Sequence, residues 1–318
     1  MLRTAVLATT AALVLTASGC SAFSDEGGQA TASDGVQVAA AFYPLQFVAQ
    51  RVAGDDAEVI GLSAPGKEPH DLEPTVAETA TIASADLVIH EHGFQPAIDA
   101  AVEENAGGTV LDAAEVVDLV PFSDEDHAEE GHSEEGHSEE EHEHGDLDPH
   151  FWLDPLRMAT LADAVAADLA EIDPDHAADY TARAADLRAE LEDLDQRFTT
   201  GLADCARRTI VVSHDAFGYL DKYGLEIAPI AGLSPDAEPT PADLADLQKL
   251  IASDGITTVF GERLASPALT ETLASDAGVT TAVLDPIEGL TDETSDDDYL
   301  SLMDANLTAL QEANGCQA

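Results

Sequence analysis

The chain has 318 residues, 64 Asp and Glu against 12 Lys and Arg, and a formal net charge of −52. With 45% hydrophobic residues it has ample material for buried cores, so global disorder is not expected, and its length suits one large domain or two ordinary ones. Nucleic-acid binding is excluded because so acidic a chain lacks the cationic footprint that displaces counterions from phosphate, and anionic membrane surfaces would repel it without a covalent anchor.

At the N-terminus Arg3 precedes an apolar run from Ala5 to Ala17, too short to span a bilayer as a stable helix. The run ends in Ala17-Ser18-Gly19-Cys20, small residues directly before a cysteine, which resembles a bacterial lipoprotein signal. Residues 1–19 are therefore read as a signal peptide and Cys20 as the lipidation site, although Ala17 stands where Leu is usual. An ordinary secretory signal with an incidental cysteine is the alternative. Residues 20–35, rich in Ser, Asp, Gly, Gln, Thr and Ala, read as a flexible tether.

Eight short β-branched or apolar runs follow in two sets of four. The first set is Val36–Phe42, Ala57–Leu62, Asp86–His90 and Thr109–Leu111. The second is Thr209–His214, Leu225–Ile230, Thr257–Glu262 and Thr280–Leu284. Helical patterns separate most of them, so the expected fold is α/β: two lobes, 36–172 and 203–318, each with a four-stranded, mainly parallel sheet and flanking helices. Helix starts are expected where a capping residue precedes proline, at Asp173-Pro174, Thr240-Pro241 and Ser266-Pro267. Residues 173–202 between the lobes predict one long helix, about 40 Å at 1.5 Å per residue. Tyr180, Ala184, Leu187, Leu191, Leu194 and Phe198 recur every three or four positions, so one face of this strut should pack.

One segment breaks the pattern. Residues 124–146 hold five His and twelve acidic residues, with Ala128 as the one apolar side chain. Such a segment cannot bury a core. His127, His132, His137 and His142 recur every five residues, with His144 beside the last. On a helix, steps of five turn each imidazole about 140° from its predecessor, so no fixed cage forms. Dense imidazole and carboxylate still bind transition metals weakly and multivalently, and the segment reads as an auxiliary metal-capturing loop. A plain solvated insert accounts for the acids but not for the regular histidines.

Besides Cys20, the mature chain would keep Cys205 and Cys316, and export would place them in an oxidising compartment. A disulfide between them is expected, worth roughly 4–5 kcal/mol for so long a loop. Two free thiols are the alternative.

The sharper chemistry lies in four positions. His70 sits in a polar loop after the second strand, and His150 follows the His-rich loop in Asp148-Pro149-His150-Phe151-Trp152-Leu153-Asp154-Pro155. His214 ends the fifth strand and Asp285 the last. Ligands of open parallel sheets gather beyond the carboxyl ends of strands, so a site built from all four lies between the lobes. Three neutral imidazoles and one carboxylate suit four-coordinate Zn²⁺. Glu68, Asp71, Asp215 and Glu262 are candidates to orient the imidazole N–H groups.

EPHDLEP around His70, DPHFWLDP around His150, SHDAFGYLDKYGL from His214, GLSPDAEPTPADL at 232–244 and LDPIEGL around Asp285 are specific motifs. From Val36 to Cys316 the chain resembles the metal-binding cluster of solute-binding proteins of bacterial ABC importers, on its zinc-uptake side. The resemblance implies two lobes joined by a long helix, with Zn²⁺ as transported ligand held between them by His70, His150, His214 and Asp285. It further implies an extracytoplasmic, lipid-anchored monomer that delivers the ion to an ABC permease and its ATPase. An acidic, His-rich insert before the second ligand is typical of the zinc members.

Manganese and iron members of the cluster typically carry a carboxylate where this chain has His214, and more nitrogen among the donors favours Zn²⁺ over Mn²⁺. His90 and His92 flank Glu91 at the end of the third strand, where relatives usually carry neutral or aromatic residues, and receive no ligand role. Two other classes of function compete. A zinc hydrolase also uses three His, but it keeps a coordination position open that Asp285 would fill, and neither HExxH nor G-x-S-x-G is present. A surface adhesin or metal buffer would use the same fold without an importer, and the sequence separates that reading poorly.

Overall fold

The computed structural model describes residues 35–121, 147–235 and 237–317. The signal peptide, Cys20, nearly all of the tether and the insert 124–146 with its five histidines lie outside the described residues.

Each of the eight expected runs carries a strand, with ends within two residues of those read from sequence. β1 (Val36–Ala40), β2 (Ala57–Gly61), β3 (Leu87–His90) and β4 (Thr109–Asp112) form a parallel sheet in the order β2-β1-β3-β4. β5 (Thr209–Val212), β6 (Glu226–Pro229), β7 (Thr258–Gly261) and β8 (Thr280–Val283) repeat that arrangement as β6-β5-β7-β8. Every residue of β3 (LVIH) and β5 (TIVV) is buried, as expected for central parallel strands covered on both faces. In both sheets the strand order reverses between the two central strands, β1/β3 and β5/β7. Loops beyond their carboxyl ends diverge there and leave a crevice.

In the first half, α1 (Tyr43–Ala53), α2 (Val76–Ser84), α3 (Pro96–Asn105) and the single turn α4 (Ala113–Val116) accompany the strands. α5 (Pro155–Ile172) and α6 (Ala177–Gly201) link the sheets, and α7 (Pro241–Asp254), α8 (Ala268–Ala277) and α9 (Tyr299–Asn314) accompany the second. Thr240 caps α7 in a reciprocal capping box with Asp243, as Thr240-Pro241 predicts. At Ser266-Pro267 the helix starts one residue later than expected, with Pro267 as cap and Ser266 Oγ accepting from the Ala268 N–H at 3.4 Å.

The long helix also starts later, after a turn at 174–176. Asp173 does not cap it, because its carboxylate accepts hydrogen bonds from His176 Nδ1 at 2.6 Å and Tyr180 Oη at 3.0 Å. The 25 residues of α6 make a rod of about 37 Å. Its buried residues are the same six that the periodicity singles out. Gln311 Nε2 on α9 donates to the Gly201 carbonyl at its far end, and Arg183 binds the Val52 carbonyl of α1 near its start. One hydrophobic core runs through α1, α5, α6 and α9 and reaches both sheets, while a smaller cluster fills the space under α7 and α8.

Two closures complete the frame. Cys205 and Cys316 are disulfide-bonded across an isolated antiparallel bridge, on the side where β5 begins. Pro121 and Leu147 form a second antiparallel bridge, so the chain is paired on both sides of the His-rich insert.

Candidate metal centre

His70, His150 and His214 meet in the crevice, and the carboxylate that joins them is Glu288. One ligand-type atom from each of the four lies within 4.8 Å of the other three. The Nε2 atoms of His70, His150 and His214 stand 3.3, 3.5 and 3.4 Å from a single atom, Glu288 Oε1. A regular tetrahedron of donors around Zn²⁺, with bonds of about 2.0–2.1 Å, has edges of about 3.3–3.4 Å. The three nitrogen-to-oxygen spacings thus match edges of a zinc tetrahedron.

Asp285, the carboxylate expected from sequence, is not in this group. It closes β8 and is committed to building the turn that follows. Asn306 brackets its backbone, with Oδ1 accepting from the Asp285 N–H and Nδ2 donating to the Asp285 carbonyl. Its own Oδ1 accepts from the Ile287 N–H at 2.8 Å, and its Oδ2 pairs with Arg263 Nε at 3.0 Å. Ile287 then takes φ +61°, a left-handed conformation that a β-branched residue adopts only under constraint. That reversal carries Glu288, not Asp285, to the imidazoles. The signal was present in LDPIEGL, where a longer carboxylate stands at the tip of the turn.

Two of the three imidazoles, His150 and His214, have a carboxylate on Nδ1. Asp148 Oδ1 accepts from both the backbone N–H of His150, at 2.9 Å, and its Nδ1, at 2.8 Å. Asp148 comes this close to the 3₁₀ turn Gly218–Tyr223 only because residue 218 is glycine: a Cβ there would stand 2.6 Å from Asp148 Oδ2. Sequence reading missed Asp148, although an Asp two positions before the His, across a proline, is the pattern of an Asx-type turn. Glu262, one of the four orienting candidates, follows β7 and accepts from His214 Nδ1 at 2.8 Å. Because β5 and β7 are neighbours, the fold itself brings these two together.

The other three orienting candidates stand differently. Glu68 accepts from the backbone N–H of His70 at 3.0 Å, and its carboxylate is 4.0 Å from His70 Nε2. Asp71 is exposed, and the half-buried Asp215 donates its backbone N–H to the Gly232 carbonyl. His90 and His92 face Asp99, at 3.0 and 3.5 Å, and are not part of the four-residue group.

His150, His214 and Glu288 have no solvent exposure. Burial alone would raise the Glu288 carboxyl, but the close approach of the His150, His214 and His70 imidazoles outweighs it and holds the group well below 4.5. Burial likewise works against a charged His214, yet Glu262 and Glu288 push it up to about 10. His150 is raised in the same manner, with Asp148 and Glu288 overcoming its burial. The cluster therefore carries its own counter-charges: carboxylates on Nδ1 of His150 and His214 fix those two rings and leave their Nε2 atoms directed inward. Nε2 of His150, Nε2 of His214 and Oε2 of Glu288 are buried without a hydrogen-bond partner. Such orphaned donor atoms in one spot are the mark of a site shaped for an ion.

Comparison with known proteins agrees with this geometry. Residues 38–313 match the profile of the family described as ZnuA, zinc-uptake complex component A, periplasmic. The chain is 34% identical over 309 residues to the high-affinity zinc uptake system protein ZnuA of Bacillus subtilis, covering 95% of each chain. It is 34% identical over 307 residues to the zinc-binding lipoprotein AdcA of Streptococcus pneumoniae, covering 94% of this chain and 60% of AdcA. Among solved structures, the laminin-binding protein Lmb of Streptococcus agalactiae, described as an adhesin with metal-transporting activity, superposes with a TM-score of 0.75. Its identity is 27%, over 88% of this chain and 99% of Lmb.

Proposed function

Because the chain belongs to the family of periplasmic zinc-uptake components, we propose that it is the extracytoplasmic solute-binding protein of a zinc importer. It captures Zn²⁺ on His70, His150, His214 and Glu288 and delivers it to an ABC permease and its ATPase. The observation that carries this reading is the convergence of three Nε2 atoms on Glu288 Oε1 at 3.3–3.5 Å. Three nitrogens and one oxygen favour Zn²⁺ over Mn²⁺. Four protein donors leave no open position for an activated water, so the protein binds and releases its ion without hydrolysing anything.

In this reading residues 36–172 and 203–318 act as two lobes, and the helix within 173–202 restrains their separation. Release then proceeds by reordering of the ligand loops rather than by wide hinge opening. Cys20 carries the lipid that holds the protein at the outer face of the cell membrane, in keeping with the description of the pneumococcal relative as a lipoprotein. The insert 124–146 gathers zinc weakly through His127, His132, His137, His142 and His144 around the tight site.

Native mass spectrometry of protein purified without added metal, before and after chelation, tests the reading. One tightly held zinc is expected, and it should persist when residues 124–146 are deleted. A His214→Ala variant that kept full zinc affinity in calorimetry would sink the ligand set.

A further inference from the structure

Among the described residues, the donor of the centre that meets solvent is His70. His150, His214 and Glu288 are sealed, whereas 12% of the His70 side chain is exposed. A cavity of about 370 Å³ opens on that ring. His70, His92, Phe94, Asp112, Ala114 and Glu115 are among the residues of its wall. At about 30 Å³ per water, a cation with six waters needs roughly 180 Å³, less than the volume of the cavity.

Resting on the zinc-binding reading above, we propose that this cavity is the vestibule through which the divalent cation reaches and leaves the buried centre. His92 is a transient ligand on that path. Dehydrating a divalent ion in one step is costly, and a donor that replaces a water before His70 is reached divides the cost. His92 is suited to it, being an imidazole whose side chain is 50% exposed, in the same wall as two carboxylates. Its loop is fixed, because its backbone N–H donates to Asp112 Oδ1 at 3.0 Å and its Nδ1 lies 3.5 Å from Asp99. Asp112 and Glu115 give the passage a negative potential that draws cations inward. Neither residue touches the four-donor centre, so the vestibule sets rates while the centre sets affinity.

Stopped-flow measurement of zinc association with the whole protein, and of zinc release to a chelator, tests this. Ala114→Trp narrows the passage without touching a donor. Association and release should both slow, by about ten-fold, while equilibrium affinity stays within about two-fold, because a barrier was raised and neither end state altered. His92→Ala, at a half-exposed position where folding is not at stake, should lower the association rate about three- to ten-fold. Glu115→Gln should lower it less and weaken its dependence on ionic strength.

Tight zinc binding with unchanged rates in Ala114→Trp and His92→Ala would overturn the vestibule and leave the function intact. Loss of affinity in His92→Ala through faster release alone would make His92 part of the resting site and also overturn its transit role. Absence of tight binding in the unaltered protein would instead remove the function on which the vestibule rests.

Discussion

Trp152 Nε1 donates a hydrogen bond to the carbonyl oxygen of Pro286 at 2.7 Å. Trp152 lies two residues after His150, and Pro286 two residues before Glu288. The bond therefore ties the segment that presents one donor to the turn that presents another, across the two halves of the molecule. Tyr299 Oη adds a second tie, donating to the Trp152 carbonyl at 2.5 Å. The spacing of His150 and Glu288 is thus a property of the core rather than of two free loops.

Trp152→Phe keeps an aromatic ring in the core and deletes the donor. The Pro286 carbonyl then loses its partner, which should cost about 1–3 kcal/mol in urea unfolding. Zinc affinity should fall with it, because the turn carrying Glu288 is less firmly set. Calorimetry showing lower stability with unaltered affinity would mean that the tie serves the core alone.

The two carboxylates of LDPIEGL should separate cleanly on mutation. Glu288→Gln removes the charge that balances Zn²⁺ and should weaken binding at least ten-fold more than Asp285→Asn, a difference of about 1.4 kcal/mol. Asp285→Asn should mainly lower stability, since it weakens the pairing with Arg263. The reverse order of affinities would return the ligand role to Asp285.

Gly218→Ala should mimic a lesion at Asp148. The added methyl would meet Asp148 Oδ2 at 2.6 Å, so the carboxylate must shift and its hold on His150 Nδ1 must loosen. Supports of this kind are worth about 10–100-fold in metal affinity, and both Gly218→Ala and Asp148→Asn should fall in that range. The two losses should not add in the double variant, which competition with a zinc chelator can measure.

Zinc binding should expel protons. With His214 pushed up to about 10, the ion-free site is protonated at neutral pH, and Nε2 must be freed before it can bind metal. Affinity should therefore rise with pH from 7 towards 10. The stability of the ion-free protein should move oppositely. A raised His contributes fully below its usual 6.5 and loses that contribution as pH rises through about 10. Glu288, held low, contributes above 4.5 and loses its contribution as pH falls through its depressed value. Calorimetry in two buffers of different ionisation enthalpy would count the protons, and a count of zero would contradict this account.

Removing the disulfide should separate stability from binding. Cys205 precedes β5 on the side opposite the carboxyl ends of the strands, where the donors gather. A Cys205→Ser/Cys316→Ser variant should lose about 2–5 kcal/mol of stability and bind zinc about as well as before.

What the sequence reveals here follows the range of the interactions involved. Strands and the buried face of α6 are legible because period and burial are properties of consecutive residues. The three histidines are legible because each sits where a strand or a proline-bounded loop delivers it. Glu288 is not, because choosing it over Asp285 requires the positive φ of Ile287, which depends on Arg263, Asn306 and Trp152 from other parts of the chain. The start of α6 misleads for a similar reason: Asp173 has the composition of a cap, but His176 and Tyr180 compete for its carboxylate.

Pro121 and Leu147 are paired with each other on either side of residues 122–146. Where a flexible loop is closed by such a pair, doubling its length costs only about 0.6 kcal/mol in closure entropy. The insert repeats in five-residue units, each opened by a histidine and filled with acids. Replication slippage in such a repeat would add or remove units one at a time, at little cost to the paired frame. Under the proposed function, the number of histidines that gather zinc would then vary independently of the four-residue centre.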